Sequence, residues 1–485
     1  MNPTFQSALT LARALRARTL SSRELLEHFI ARVERFNPAL NAVVTLDLDR
    51  ARKAADRADV ALARGEVTGP FHGVPMTIKD TFEVAGVRTT AGFPPLAEHV
   101  PERDAEAVLR LRRGGVIPFG KTNVPVLAGD WQTYNPIFGA TSNPWDTARS
   151  PGGSSGGAAA AVAAGLSPLE LGSDIGGSIR VPAHWSGIVG HKPTFGLVPQ
   201  RGHIPGPPGT LAEPDLNVVG PLARTVEDCE AMLDLLAGPT DDRAIAWTLR
   251  PPPARHERLA DFRVAAWLDD PAYPVDSRVR TLLERAMEAL RTAGVMVDAR
   301  ARPRLDFSDA VRTYLELLYP LIMAGYPPEQ FEAFAQMADA LARDDESALA
   351  RTARFGTARH REWLAANERR EGFRAAYADL FRRFDVLVTP VNFVPPIAHD
   401  HTEPFPARTL GVDGVERSYL DLIAWVGPVT MCWLPATVIP IGATPDGLPV
   451  GVQIVGPYLE DRTTLAFARL AQDVLGGAQP PPGYA

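Results

Sequence analysis

Two short stretches place serine beside paired glycines: Ser150-Pro-Gly-Gly-Ser-Ser-Gly-Gly157, and Gly176-Gly177-Ser178 further along the chain. Glycine before a serine lets backbone N–H groups approach a reacting carbonyl with no Cβ in the way. Two such clusters meeting at one site would supply a nucleophile, an array of amide donors and a second hydroxyl. Either cluster alone reads as a turn. A flexible spacer is a poor reading of the first, because it leads straight into the small apolar run Ala158 to Leu166, which calls for close helix packing.

The lysines are the second signal. Of the 50 basic residues only Lys53, Lys79, Lys121 and Lys192 are lysine; the rest are arginine. A chain that uses arginine for surface charge draws attention to each lysine it keeps, since only an ammonium can lose its proton at accessible pH. Chance retention accounts for Lys53, in the polar helical run "LDRARKAADRADVALARGE".

Two familiar patterns match and fail on context. Gly115 to Thr122 fits G-x-x-x-x-G-K-[ST], but phosphate binding needs a strand before the loop and a helix opening after it. Here a helical run precedes the match, the strand "VIPFG" lies inside it, and Pro125 blocks a clean helix start. Gly152-Gly-Ser154-Ser-Gly156 fits the nucleophile elbow G-x-S-x-G, which needs a strand immediately upstream. The upstream segment "TSNPWDTARSP" reads as loop, although His184, His191 and His203 follow and keep a Ser-His-Asp hydrolase in view.

The elements that must position these residues are those of an α/β protein. Residues 1–65 read as N-terminal helices, with the capping-box spacing Ser21 to Glu24 before "LLEHFIARVERF". Residues 66–245 alternate short apolar runs ("GVPMTIKD", "GGVIPFGKTN", "LELGSDIGG") with helical ones. After a proline-rich break, 262–382 reads as the strand "FRVAAWL" followed by a helical insertion. Residues 383–485 return to strands in "FDVLVTPV", "ATVIPIG" and "LPVGVQIVG". Strand material on both sides of the insertion implies one sheet built from distant parts of a single domain, 1–485.

Composition limits the partners. With 45% hydrophobic and 22% charged residues, 485 residues can bury a large core. A net charge of −7 lacks the basic excess of a nucleic-acid binder. The arginine-rich run from Arg351 to Arg383 reads as a solvated helix face. Cys229 and Cys432 have no metal-ligand spacing, and no metal or cofactor is expected. No stretch approaches the ~20 apolar residues of a membrane span, and the N-terminal arginines do not suit a signal peptide. The expectation is a cytoplasmic protein, with neither nucleic acid nor membrane as partner and with a homodimer as a possible assembly.

Gly152-Gly-Ser-Ser-Gly-Gly157, Gly172-Ser-Asp-Ile-Gly-Gly-Ser-Ile-Arg-Val-Pro182 and Gly190-His-Lys-Pro-Thr194 together resemble the signature of the amidase signature family. "GVPMTIKD", "GKTN", "DVLVTP" and "DGLPVGVQIVG" extend the resemblance over nearly the whole chain. It implies a mixed central β-sheet surrounded by helices, an amidohydrolase activity and a Ser-Ser-Lys triad. Ser178 would be the nucleophile, Ser154 a bridging serine on a cis peptide and Lys79 the base. Backbone N–H groups around Ile175, Gly176, Gly177 and Ser178 would form the oxyanion hole. Asp174 and Arg180 would brace that loop and Ser155 support the relay, while Lys121 and Lys192 would form structural ion pairs.

The same family contains the A subunit of glutamyl-tRNA amidotransferase. The segment "NVPVLAGDWQTYNPIFGAT" lacks the Met-Gly-Ser-Ser run expected of that protein. It offers Trp131, Tyr134 and Phe138 instead, which with Met431 and Trp433 could line an apolar pocket, although core packing explains Met431 and Trp433 equally well. The substrate expected is therefore a small-molecule amide, small or aryl in type. The alternatives are a Ser-His-Asp esterase or hydrolase, a protein of the amidotransferase A-subunit type, and a noncatalytic binding protein on the same scaffold.

Overall fold

The apolar runs of the sequence form the middle of an eleven-stranded mixed sheet. Its order is Val43–Leu46, Ile117–Thr122, Pro75–Lys79, Leu169–Asp174, Val218–Ala223, Val189–Lys192, Ala436–Ala443, Pro449–Val455, Val386–Pro390, Arg263–Ala266 and Met296–Asp298. The computed structural model describes residues 2–342 and 344–485. Pro75–Lys79 runs parallel to both its neighbours, whereas Leu169–Asp174 runs antiparallel to Val218–Ala223. The strands nearest the middle are buried on both faces, as sheets covered by helices on each side require.

The sheet is assembled from distant parts of the chain. Val386–Pro390, after the helical insertion, pairs parallel with Arg263–Ala266, before it, and antiparallel with Pro449–Val455. Between them lie the helices Phe307–Met323, Pro328–Ala340, Ala348–Gly356 and His360–Phe381. The N-terminal segment differs from the expectation of helices alone. Besides Ala8–Arg16, Ser22–Leu40 and Leu48–Ala63 it contributes Val43–Leu46, which edges the sheet antiparallel to Ile117–Thr122. The capping box forms: Ser21 Oγ accepts from Glu24 N at 3.1 Å, and Glu24 Oε2 accepts from Ser21 N at 2.9 Å.

The small residues after Ser155 form the helix Gly156–Ala163, every residue of which is buried. A Cβ on Gly157 would fall 2.4 Å from Asn123 N, so the helix lies against backbone at a distance that larger side chains would prevent. The lysine-containing run that resembles a phosphate loop is the strand Ile117–Thr122, entered from the helix Glu106–Arg113, the reverse of the strand–loop–helix order that phosphate binding needs. Among the described residues no helix is long and apolar enough to cross a membrane.

Candidate active site

The site lies beyond the C-terminal ends of the parallel strands Pro75–Lys79 and Leu169–Asp174, where open α/β sheets leave a crevice. Lys79 is the last residue of the first strand and has no exposed surface. Its Nζ donates to Ser154 Oγ at 2.8 Å and to Ser173 Oγ at 2.9 Å. Burial pushes Lys79 down to about 7, with the charges of Asp174 and Glu170 pulling the other way. Glu170, in register with Thr77 on the adjacent strand, is itself pushed up to about 8 by burial.

Ser154 stands on the cis peptide Gly153–Ser154, directly before the buried helix. A side chain on Gly153 would fall 2.4 Å from Asp130 O and 2.7 Å from Trp131 C, so this loop is pressed against the 130–131 backbone. Ser155 N donates to Ser178 O at 3.2 Å, which ties the first glycine-serine cluster to the second. Ser178 keeps 6% of its surface exposed, against 1% for Ser154 and none for Lys79. Of the three side chains it is the one a substrate can reach most readily.

Asp174 organises the turn that carries Ser178. It accepts from Gly177 N at 2.8 Å, from Ile179 N at 3.1 Å, and from Arg180 Nε and Nη2 at 2.9 and 2.8 Å. Burial works against its charge, yet the Arg180 guanidinium and these hydrogen bonds hold it down at about 2. Arg180 spends its other donors on Val426 O, Gln453 Oε1 and Thr430 Oγ1. Asp174 and Arg180 thus form a closed, wholly buried fork beneath this turn.

One expectation is narrowed. The Gly177 N–H is taken by Asp174 and cannot also serve an oxyanion. The N–H groups of Ile175, Gly176 and Ser178 meet no protein acceptor among the described residues. Ser173 was not singled out from the sequence, although it stands inside Gly172-Ser-Asp-Ile-Gly-Gly-Ser and shares Lys79 with Ser154. Tyr314 was missed as well; it comes from the helical insertion, and its hydroxyl donates to Ile175 O at 2.8 Å.

The aromatic residues divide. Trp131 reaches the site, its Nε1 donating to Gly176 O at 2.8 Å. Tyr134 bonds Glu403 and Arg408 and stacks on His401 at 4.0 Å. Phe138 carries the Arg88 guanidinium over its ring. Met431 is fully buried in the core, and Trp433 donates to Asp215 O at 2.9 Å between Phe195 and the arginines Arg370 and Arg374. Tyr134, Phe138 and Trp433 are drawn off by partners that their sequence neighbours do not announce.

His184, His191, Lys121 and Lys192 are held in the scaffold, whereas Lys53 is exposed and His203 packs against Phe82. His184 lies between Gly451 N and Val394 O, and His191 between Thr437 Oγ1 and Asp461. Burial pushes His184 down to about 4. Asp80 is turned away from Lys79; its Oδ1 meets Lys121 Nζ at 3.2 Å, the structural pair expected of that lysine. Lys192 departs from expectation, since its Nζ donates to Pro193 O at 2.9 Å rather than to a carboxylate. Among the described residues, no three His, Cys, Asp or Glu side chains converge to hold a metal ion.

Comparison with known proteins agrees with this architecture. Residues 24–465 match the Amidase family, and the chain belongs to it. It is 34% identical over 472 residues to the A subunit of the glutamyl-tRNA(Gln) amidotransferase of Prochlorococcus marinus (strain MIT 9313), covering 93% of both chains. Among solved structures it is similar to a bacterial aryl acylamidase of the amidase signature enzymes, at 25% identity and a TM-score of 0.80. That match covers 97% of this chain and 96% of the other. A protein from a vestigial complex described as revealing the origins of an s-triazine catabolic enzyme is similar at 27% identity and a TM-score of 0.81, covering 98% and 100%.

Proposed function

We propose that this chain hydrolyses amides through an acyl-enzyme on Ser178, with Lys79 as general base acting through Ser154. The observation that carries the reading is the buried Lys79 amine, 2.8 Å from Ser154 Oγ and held at about 7 by desolvation. A neutral amine can take the Ser154 proton as Ser154 takes that of Ser178, since a hydroxyl donates and accepts at once. Ser178 Oγ then bonds to the substrate carbonyl carbon, and the carbonyl oxygen becomes an oxyanion facing the free amides of Gly176 and Ser178. Collapse breaks the C–N bond, and the proton returns through Ser154 to the departing amine. Water repeats the sequence in reverse order of groups and releases the acid.

The surroundings favour an uncharged substrate. Ile423 and Val426 stand against Gly176 and Gly177, Trp131 closes on the Gly176 carbonyl, and the nearby charges of Asp174 and Arg180 are spent on each other. A small or aryl-type amide fits this wall. The aryl acylamidase likeness supports the same substrate class.

A second reading is favoured by the relatives: a role like that of the amidotransferase relative, with glutamine as the amide. It shares the Ser178 chemistry and differs in the substrate. A panel of anilides, small amides, esters and carbamates together with glutamine separates the two, with mass-spectrometric mapping of the acylated residue. Turnover of the anilides with label on Ser178 is expected. Turnover of glutamine alone would select the second reading, and modification of Ser154 or Ser155 with Ser178 untouched would overturn the assignment of the nucleophile.

A further inference from the structure

In a trans peptide the C=O and the following N–H point in opposite directions, so pinning one aims the other. Three peptide planes between Ile175 and Ser178 are fixed in this way, and their outer and middle members differ. In the first, the Ile175 carbonyl accepts from Tyr314 OH at 2.8 Å, which turns the Gly176 N–H away from Tyr314. In the third, the Gly177 carbonyl accepts from Val181 N at 2.7 Å, which turns the Ser178 N–H away from the helix that follows. The middle plane is closed at both ends, by Trp131 Nε1 on the Gly176 carbonyl and by Asp174 on the Gly177 N–H.

The third plane is held by the first turn of a helix, but the first has no such support. Its carbonyl has one partner among the described residues, the hydroxyl of Tyr314, and the residue that follows is a glycine, free to rotate. If that plane flipped, a carbonyl oxygen would face the developing oxyanion where an N–H should be, turning attraction into repulsion. Tyr314 arrives from the helix Phe307–Met323, is fully buried, and packs its ring against Gly427.

We propose that Tyr314 is a positioning residue: its hydroxyl holds the Ile175–Gly176 peptide so that the Gly176 N–H is presented, beside that of Ser178, to the oxyanion. This rests on the reading of Ser178 as nucleophile. It makes the helical insertion part of the catalytic apparatus although it contributes no reacting atom. Burial also pushes the Tyr314 phenol far above its ordinary range, so the hydroxyl remains a donor throughout the working pH range.

Tyr314→Phe removes one oxygen and keeps the ring, leaving the packing against Gly427 in place. Deleting an oxyanion donor outright costs roughly 10²–10³ in kcat, and freeing one to rotate should cost about 10–10². The test measures kcat and KM for p-nitrophenyl acetate, and the affinity for phenylboronic acid as a tetrahedral adduct, in wild type and variant. Expected are parallel losses of about 10-fold or more in kcat and in boronate affinity, with KM within about twofold. A kcat within about twofold of wild type, a change confined to KM, or a kcat loss with undiminished boronate affinity would each overturn the proposal. Wild-type enzyme that neither turns over the ester nor binds the boronate would instead bring down the reading of Ser178, and this inference with it.

Discussion

Lys79 Nζ lies 2.8 Å from Ser154 Oγ, while Asp80, the next residue, turns its carboxylate to Lys121 at 3.2 Å. The divergence of these neighbours decides the electrostatics of the site. A lysine beside its own aspartate would be a stable ammonium and a poor base. With Asp80 directed elsewhere, Lys79 is left among hydroxyls in a region closed to water, where the neutral amine is favoured.

A pH profile follows from that environment. Lys79 accepts a proton only when neutral, and burial brings its titration down to about 7. The kcat/KM value should therefore fall as pH drops through about 7 and level off above it, reporting the free enzyme's base. Glu170, raised to about 8, stands near enough for its charge to act on Lys79, so the limb belongs to a pair of interacting groups. Initial rates across about pH 3 to about 10 with an uncharged anilide measure it. A limb centred at about 4, the range of an ordinary carboxylate, would take the base role away from Lys79.

Lys79→Arg tests the same residue without moving its charge. Arginine keeps the cation and most of the length, and it is the ordinary basic residue of this chain. A structural lysine should tolerate the change. A general base should not, because a guanidinium does not deprotonate in proteins. We expect Lys79→Arg to be as inactive as Lys79→Ala, a loss of roughly 10²–10⁴-fold or more, with circular dichroism showing both folded. Activity within about tenfold of wild type in Lys79→Arg would remove lysine from the mechanism.

What was legible in the sequence was local. Strands written as short apolar runs between glycines and prolines, such as "GVPMTIKD" and "LELGSDIGG", are strands, because burial on both faces selects such runs. Val43–Leu46 escaped notice: four residues between two helices carry too little periodicity to stand out, and their pairing with Ile117–Thr122 comes from residues far along the chain. The two glycine-serine clusters meet in the fold, Ser155 N donating to Ser178 O, and the mixed sheet matches the family architecture that their motifs implied. Partners that depend on tertiary contact were hidden. Nothing near Tyr314 in "RTYLELLYP" signals a hydroxyl aimed at Ile175, and nothing near Trp433 signals that Asp215 and two arginines will claim it.

Lys192 supplies the last prediction, and it concerns stability. Its amine is fully buried on the strand Val189–Lys192, and its hydrogen bond goes to the Pro193 carbonyl. Burial pushes it down from 10.5 to about 7; Arg180 adds to the shift, while Asp174 and Asp461 oppose it. The unfolded chain holds this proton up to about 10.5, whereas the folded chain has given it up above about 7. The destabilising contribution is therefore complete below about pH 7 and fades as pH rises towards 10.5. Lys192→Met removes the ionisable group and keeps an unbranched chain of similar volume. Urea unfolding should show the variant more stable than wild type at about pH 7. That gain should shrink by about 1.4 kcal/mol per pH unit at its steepest as pH approaches about 10. A stability difference that stayed level or grew with pH would show that Lys192 is not held neutral by the fold. The same variant discriminates between the two lysines that titrate at about 7: the activity limb should keep its position in Lys192→Met, because its source is Lys79.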